Sequence, residues 1–150
     1  MNLSDDKNIW FFQANPKRYK IIEALSDPNY QKTTWQTTRY KKDIKKGDFV
    51  LIWVAGKKAG IYATAWIIEN PIDRFPYPPG PKYWVNPENE ALKKAAFRAM
   101  LEIDHNFVDN PIPREALKVM GITGSLICAP YQGTNFRVKP KDWDIIKGLL

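Results

Sequence analysis

Few residues of this 150-residue chain are equipped for covalent or acid–base chemistry. The single histidine, His105, stands in an alternating stretch with no cysteine near it in sequence, and it reads as a satisfied structural side chain rather than a ligand or general base. Cys128, the one cysteine, lies in an apolar run close to Pro130 and reads as a small core residue. Gly56-Lys57-Lys58-Ala59-Gly60 has the look of a phosphate loop, but it fits neither GxxxxGK[ST] nor GxGxxG. Carboxylates are scattered, and no metal-ligand spacing appears. Neither a cofactor nor a metal is expected, and a non-catalytic role is favoured.

The residue types point instead to recognition of a polyanion. The net charge is +7, and its distribution is one-sided. Residues 1–58 hold 12 Lys or Arg against 6 Asp or Glu, whereas residues 59–150 hold 11 against 10. The cations gather as Lys17, Arg18 and Lys20, then Arg39, Lys41, Lys42, Lys45 and Lys46, then Lys57 and Lys58. Such a field draws nucleic acid, although a charge run also serves as an ordinary solvated face. None of the clusters sits on a long amphipathic helix, which argues against a membrane surface.

The segment that must position these groups is Asp48 to Ile68, which reads as two strands around the turn Ala55–Gly60. Side chains alternate along a strand, so Phe49, Leu51 and Trp53 face one way and Val50, Ile52 and Val54 the other. Apolar residues on both faces imply a central strand. In the second strand Ile61, Ala63, Ala65 and Ile67 share a face opposite Tyr62, Thr64, Trp66 and Ile68. A face of small residues that begins at Gly60 admits another backbone or a flat ligand.

Before this hairpin, Ile9–Ala14 reads as an aromatic strand. Asn15-Pro16 then caps a helix expected to run from Pro16 to about Leu25. Residues 33–40 read as a polar loop, and Trp35, flanked by threonines and followed by Arg39, is there a binding candidate. After the hairpin, residues 70–87 contain six of the twelve prolines and read as a long stiff loop. A helical turn near 90–96, a strand over 97–107 and a helix entered at 111–118 follow. Residues 126–130 and 135–138 read as strands, joined by a turn at 131–134, and residues 140–150 as a closing helix with Trp143, Ile146 and Leu149 or Leu150 inward. The sum is one α+β domain over 1–150, a small barrel of five or six strands with short helices and a flexible lead at 1–8. One cysteine, a polar start and the lack of a long apolar run point to a reducing, cytoplasmic setting.

Six segments in order, Trp10–Pro16, Trp35–Tyr40, Lys46–Asp48, Gly60–Ala63, Pro81–Trp84 and Gln132–Thr134, together resemble the EVE domain. The resemblance spans about residues 9 to 148. It implies a PUA-like fold, a partly closed mixed β-barrel similar to YTH and ASCH domains. It also implies recognition of a modified base turned out of DNA or RNA into an aromatic pocket. An extruded base presents two π-faces and a polar edge, so it needs aromatic walls and a few donors and acceptors.

On that resemblance Trp35 is one wall, and Trp53, Tyr62 or Trp84 the second. Gln13, Asn15, Thr37 and the backbone near Gly60 would read the edge. Lys17, Arg18, Arg39, Lys41, Lys42, Lys57 and Lys58 would hold phosphates. Two other classes compete. The first is an ASCH-like amidohydrolase acting on a modified nucleoside, which needs a lysine, a threonine and a glutamate together; Lys57, Thr37 or Thr38, and Glu23 or Glu69 are the candidates. The second is a protein-interaction module that uses the proline-rich loop. An effector protein is conceivable, but no residue identifies one.

Overall fold

The computed structural model describes residues 7–122, 124–128 and 133–150. Every residue of Phe49–Val54 (β3) is buried, as an unbroken apolar run requires of a strand covered on both faces. β3 pairs in parallel with Ile9–Ala14 (β1) and antiparallel with Gly60–Arg74 (β4). The other strands are Lys32–Gln36 (β2), Ala96–Asn106 (β5), Ile112–Pro113 (β6) and Asn135–Arg137 (β7). The sheet order is β2-β5-β4-β3-β1-β7, with β6 paired to the start of β4.

The two ends of this order meet. Asn135 of β7 is fully buried, and its Oδ1 accepts the backbone N–H of Thr38 at 2.9 Å. Its Nδ2 donates to the carbonyl of Gln36 at 3.2 Å. The sheet therefore curls into a barrel left open between β2 and β7, and one side chain spans the seam.

Curling creates an inside and an outside, and each is a core. Val50, Ile52 and Val54 face inward with Trp10, Phe12 and Trp35, beneath Ile21–Ser26 (α1). Phe49, Leu51 and Trp53 face outward against Leu117 of Arg114–Val119 (α2), Leu126 and Ile127 of Ser125–Cys128 (α3), and Ile146 of Pro140–Ile146 (α4). Each large apolar side chain so buried contributes roughly 1.5–3 kcal/mol. Among the described residues no helix is long and apolar enough to cross a membrane.

Several expectations are corrected. The described residues form seven strands rather than five or six. Residues 32–36 are strand β2 rather than loop, because β5 offers a partner: Trp35 pairs with Ala99 and Gln36 with Arg98. Residues 125–128 form a helical turn that buries Leu126 and Ile127, not a strand; the remainder of the expected strand and the expected turn at Tyr131-Gln132 lie outside the described residues.

β4 runs on to Arg74, so the proline-rich loop begins later than expected. α1 starts only at Ile21, because Asn15 makes a local turn: its Oδ1 takes the N–H of Lys17, and Tyr19 instead bridges to Trp84. A bulge in the β3–β4 ladder places Ile52 opposite Ala63 and Trp53 opposite Ile61. Tyr62 is the extra residue, so Ile61 joins the outer core while Tyr62 and Ala63 both join the inner one. Leu149 and Leu150 are exposed rather than inward. Of the expected flexible lead, residues 1–6 lie outside the description. Lys7 and Asn8 are held to Lys46 and Asp48 by hydrogen bonds.

Candidate nucleic-acid interface

β1 and β3 are parallel and end together, Ala14 beside Val54, so the loops that leave them share one end of the barrel. The backbone N–H of Ala55 donates to the Ala14 carbonyl at 2.9 Å, tying the β3–β4 hairpin to the exit of β1. On the other side of β1, Gln13 donates its backbone N–H to Thr134 at 2.8 Å and its side-chain amide to the Gly133 carbonyl at 2.7 Å. Beyond β1 the Asn15 carbonyl receives the N–H groups of Arg18 and Tyr19, at 2.9 and 3.0 Å. This tight turn leaves Asn15, Lys17 and Arg18 exposed.

The proline-rich loop closes onto that turn. Lys20 donates to the Tyr83 carbonyl at 2.6 Å, and Val85 donates to that of Arg18 at 3.0 Å. Trp84 is thereby set edge-on to Tyr19, with ring centroids 4.7 Å apart, and remains half-buried. The loop is also pinned to β2, where Thr34 donates to the Tyr77 carbonyl at 3.0 Å and accepts from the Tyr77 N–H at 2.8 Å. The loop that bears this half-exposed indole is thus paired with the turn that carries Asn15, Lys17 and Arg18.

The other expected pocket residues are dispersed. Trp35 is 7% exposed and packs inside the barrel on Phe12, with centroids 6.1 Å apart. Trp53 is 1% exposed and packs outside it, edge-on to Phe11 at 5.6 Å. The sheet separates the two indoles, so they are not two walls of one pocket. Thr37 is buried, with its N–H and hydroxyl both given to the Phe97 carbonyl at 2.9 and 3.1 Å, so both of its donors are already engaged.

Gly60 meets a backbone rather than a ligand: a Cβ there would overlap the Ile112 carbonyl of β6, and its φ is not in the left-handed region. Tyr62 is buried, donates its hydroxyl to the Lys58 carbonyl at 2.6 Å, and has its phenol pKa raised by that burial.

The cations divide by position. Lys17, Arg18, Lys57 and Lys58 are exposed at the end where β1 and β3 terminate. Arg39 follows the seam, its backbone N–H 3.5 Å from Asn135 Oδ1, and its guanidinium lies over the Tyr40 ring at 5.7 Å. Lys41 and Lys42 are exposed beyond it, Lys41 over Phe97 at 5.4 Å. Lys45 and Lys46 precede β3 and so belong to the opposite end. Arg98 is buried on β5 with its Nε lacking a hydrogen-bond partner, and burial lowers its pKa.

A cluster of phenols supports the loop. Tyr19 Oη lies 3.1 Å from Tyr30 Oη, and Tyr30 donates to Thr33 Oγ1 at 2.8 Å. Burial raises the pKa of both phenols. Tyr83 donates to the Asp27 carboxylate, which Lys82 also reaches at 3.2 Å. These bonds, that of Tyr83 foremost, hold the Asp27 carboxyl at about 2. The same bond raises the Tyr83 phenol, and the Asp27 contact raises Lys82. The sequence gives no local signal for this arrangement, because Tyr19 and Trp84 are far apart in the chain and meet only through the loop.

Thr37 is buried at the seam, Lys57 is exposed on the hairpin, and Glu69 pairs with Arg74 at 3.1 Å. His105 is an exposed strand residue beside Asp104, its Nδ1 3.1 Å from the carboxylate. The side chain of Cys128 lies outside the description. Among the described residues no group of three or more His, Cys, Asp or Glu could hold a metal ion.

The sequence profile of the EVE domain matches residues 8–149. No curated protein sequence matches the chain. Among solved structures, a hypothetical protein from Leishmania major is similar with a TM-score of 0.66 and 14% identity, covering 97% of this chain and 95% of that one. Human THYN1, solved in complex with DNA containing 5-methylcytosine, is similar with a TM-score of 0.65 and 15% identity, over 95% and 97% of the two chains. The YTH domain of Zygosaccharomyces rouxii MRB1, solved with N6-methyladenosine RNA, has a TM-score of 0.60 and 9% identity, over 99% and 90%. The fold is thus PUA-like, a curled and incompletely closed mixed sheet with short helices.

Proposed function

The chain belongs to the EVE domain family, and from that premise we propose that it is a non-catalytic nucleic-acid-binding module that recognises a modified base. The observation that carries the reading is the pairing, at one barrel end, of the loop bearing half-exposed Trp84 with the turn that exposes Asn15, Lys17 and Arg18, while Lys57 and Lys58 share that end. An indole edge-supported by Tyr19 offers a π-face to an unstacked base, and the exposed amide of Asn15 offers hydrogen bonds to its edge. Lys17, Arg18, Arg39, Lys41, Lys42, Lys57 and Lys58 then neutralise phosphates, which position a strand without reading it.

Two of the similar structures carry methylated DNA or RNA, which supports the choice of ligand class. Trp35 enters this reading as the buried support of β2 rather than as an open wall.

The test is fluorescence anisotropy with oligonucleotides that are unmodified or carry 5-methylcytosine or N6-methyladenine. At least one modified strand should bind about tenfold more tightly than its unmodified counterpart, a difference of about 1.4 kcal/mol. Affinity should also fall by an order of magnitude or more between about 50 and 200 mM salt if several phosphates are neutralised. Lys17→Glu with Arg18→Glu should weaken all strands alike, and Lys45→Glu with Lys46→Glu, at the opposite end, much less. A flat salt response, or equal losses from the two pairs, would overturn the assignment of this end.

A further inference from the structure

We propose that the cleft between the β3–β4 hairpin and the β6–α2 segment binds a phosphodiester of the strand that flanks the recognised base. Arg114 is a phosphate ligand there, and Glu115 is the counter-charge it gives up. The proposal rests on the nucleic-acid reading above and extends it to Arg114 and Glu115, which are not among the residues singled out in the sequence.

The cleft has a volume of about 360 Å³. Tyr62 and Pro113 line it, and Lys57, Lys58 and Arg114 bring three cations to it against the single carboxylate of Glu115. Its frame is fixed by backbone contacts. Arg114 donates its N–H to the Ala59 carbonyl at 2.9 Å, and Gly60 lies opposite Pro113 too closely for any side chain. The Tyr62 hydroxyl holds the Lys58 carbonyl at 2.6 Å, which steadies the hairpin bearing both lysines.

The charge of this cleft differs in kind from that of the larger one of about 590 Å³ beside α1, which is lined by Asp27 and Asp109 and by no Lys or Arg. A polyanion is attracted to the first and repelled by the second.

The Arg114 guanidinium pairs with Glu115 at 3.5 Å, and the Glu115 side chain is 72% exposed. An ion pair so open to water is readily exchanged for a phosphate, which accepts both arms of a guanidinium. The hairpin is tied to the exit of β1 through Ala55 and Ala14, so the cleft lies at the barrel end that carries Lys17 and Arg18.

The experiment compares wild type, Arg114→Gln and Glu115→Gln in binding a single-stranded decamer across a salt series, with thermal unfolding alongside. Arg114 is the first residue of α2 and partly exposed, so Arg114→Gln should fold as wild type does. It should weaken binding about three- to tenfold and reduce the slope of log Kd against log salt by about 0.7, the change for one lost phosphate contact on a single strand. Glu115→Gln should tighten binding. If wild type binds and Arg114→Gln changes neither affinity nor slope, the cleft is not on the strand's path and this proposal fails alone. If wild type binds no strand at all, the functional reading fails with it. Displacement of the decamer by a free mononucleotide at comparable concentration would also overturn the proposal, because it would make the cleft a nucleotide site rather than a strand site.

Discussion

Trp35 and Trp53 stand on opposite faces of one curled sheet, Trp35 against Phe12 inside and Trp53 against Phe11 outside. Trp53 is the penultimate residue of β3, but it is 1% exposed in the outer layer with Leu117, Ile127 and Ile146 and presents no open face at that end. Trp53→Ala should therefore cost about 3–5 kcal/mol, the loss for emptying a buried aromatic site. Urea unfolding measures that loss. The folded fraction, assayed in the absence of urea, should bind oligonucleotides within about twofold of wild type. A variant that unfolds like wild type yet has lost binding would return Trp53 to the site.

Asn135 makes a second prediction. Its amide serves the Gln36 carbonyl and the Thr38 N–H, two backbone groups that no sheet ladder satisfies. Asn135→Ala leaves both without their partner at a part-buried seam where Gln36 and Thr38 are open to water, so the loss should be about 1–3 kcal/mol in all. Asn135→Asp keeps the acceptor for Thr38 but turns a second oxygen toward the Gln36 carbonyl, so it should also destabilise. Denaturant midpoints of the two variants, and earlier hydrogen exchange at Thr38, are the measurements. Wild-type midpoints for both would mean that the seam holds without this residue.

The residues show why the hairpin was legible and the pocket was not. β3 and β4 declare themselves through unbroken apolar runs, and the faces of β3 followed from simple alternation. The face assignment of β4 failed at Ile61 and Tyr62, because a bulge depends on register with β3 and not on the composition of β4. Trp35 looked like a loop residue because its neighbours are threonines, yet threonine is a good strand former when a partner strand is present. That partner, β5, lies more than sixty residues away in sequence. The pairing of Tyr19 with Trp84 and the bridging by Asn135 are likewise long-range, and no local period encodes them. The basic clusters were legible as charge, but topology alone separates Lys17 and Arg18 from Lys45 and Lys46.

Asp27 carries a pH prediction. Its carboxyl falls from an ordinary 3.8 to about 2, held by Tyr83, the Asn29 N–H and Lys82. A depressed folded pKa means the contribution is present above about pH 4 and is lost as pH falls toward 2. Asp27→Asn should be less stable than wild type at pH 7, and the gap should close between about pH 4 and 2. Thermal unfolding across that range reads it out, and the gap should be small because the site is open to solvent. A gap that stays constant down to pH 2 would show that the charge of Asp27 is not what secures the loop.

Trp84 provides the decisive contrast with Trp35. Trp84 is half-buried on a loop and supported edge-on by Tyr19, so Trp84→Ala removes little core packing and should cost about 1–2 kcal/mol. Its effect should appear in binding, where one lost base stack is worth about 1–3 kcal/mol, a tenfold or greater rise in Kd. The loss should be larger for a strand with the preferred modified base than for a plain strand, because the phosphate contacts of Lys17 and Arg18 survive the change. Trp35→Ala should do the reverse, costing about 3–5 kcal/mol of stability because it opens a void between β2 and Phe12 inside the barrel. Trp84→Phe controls for the loop: it keeps an aromatic face and should recover most of the binding. The measurements are denaturant unfolding, and binding of modified and unmodified oligonucleotides, for all three variants. If Trp84→Ala binds both strands as wild type does, while Trp35→Ala binds neither at a protein concentration where it is folded, the base must be held inside the barrel and Trp84 is not its wall.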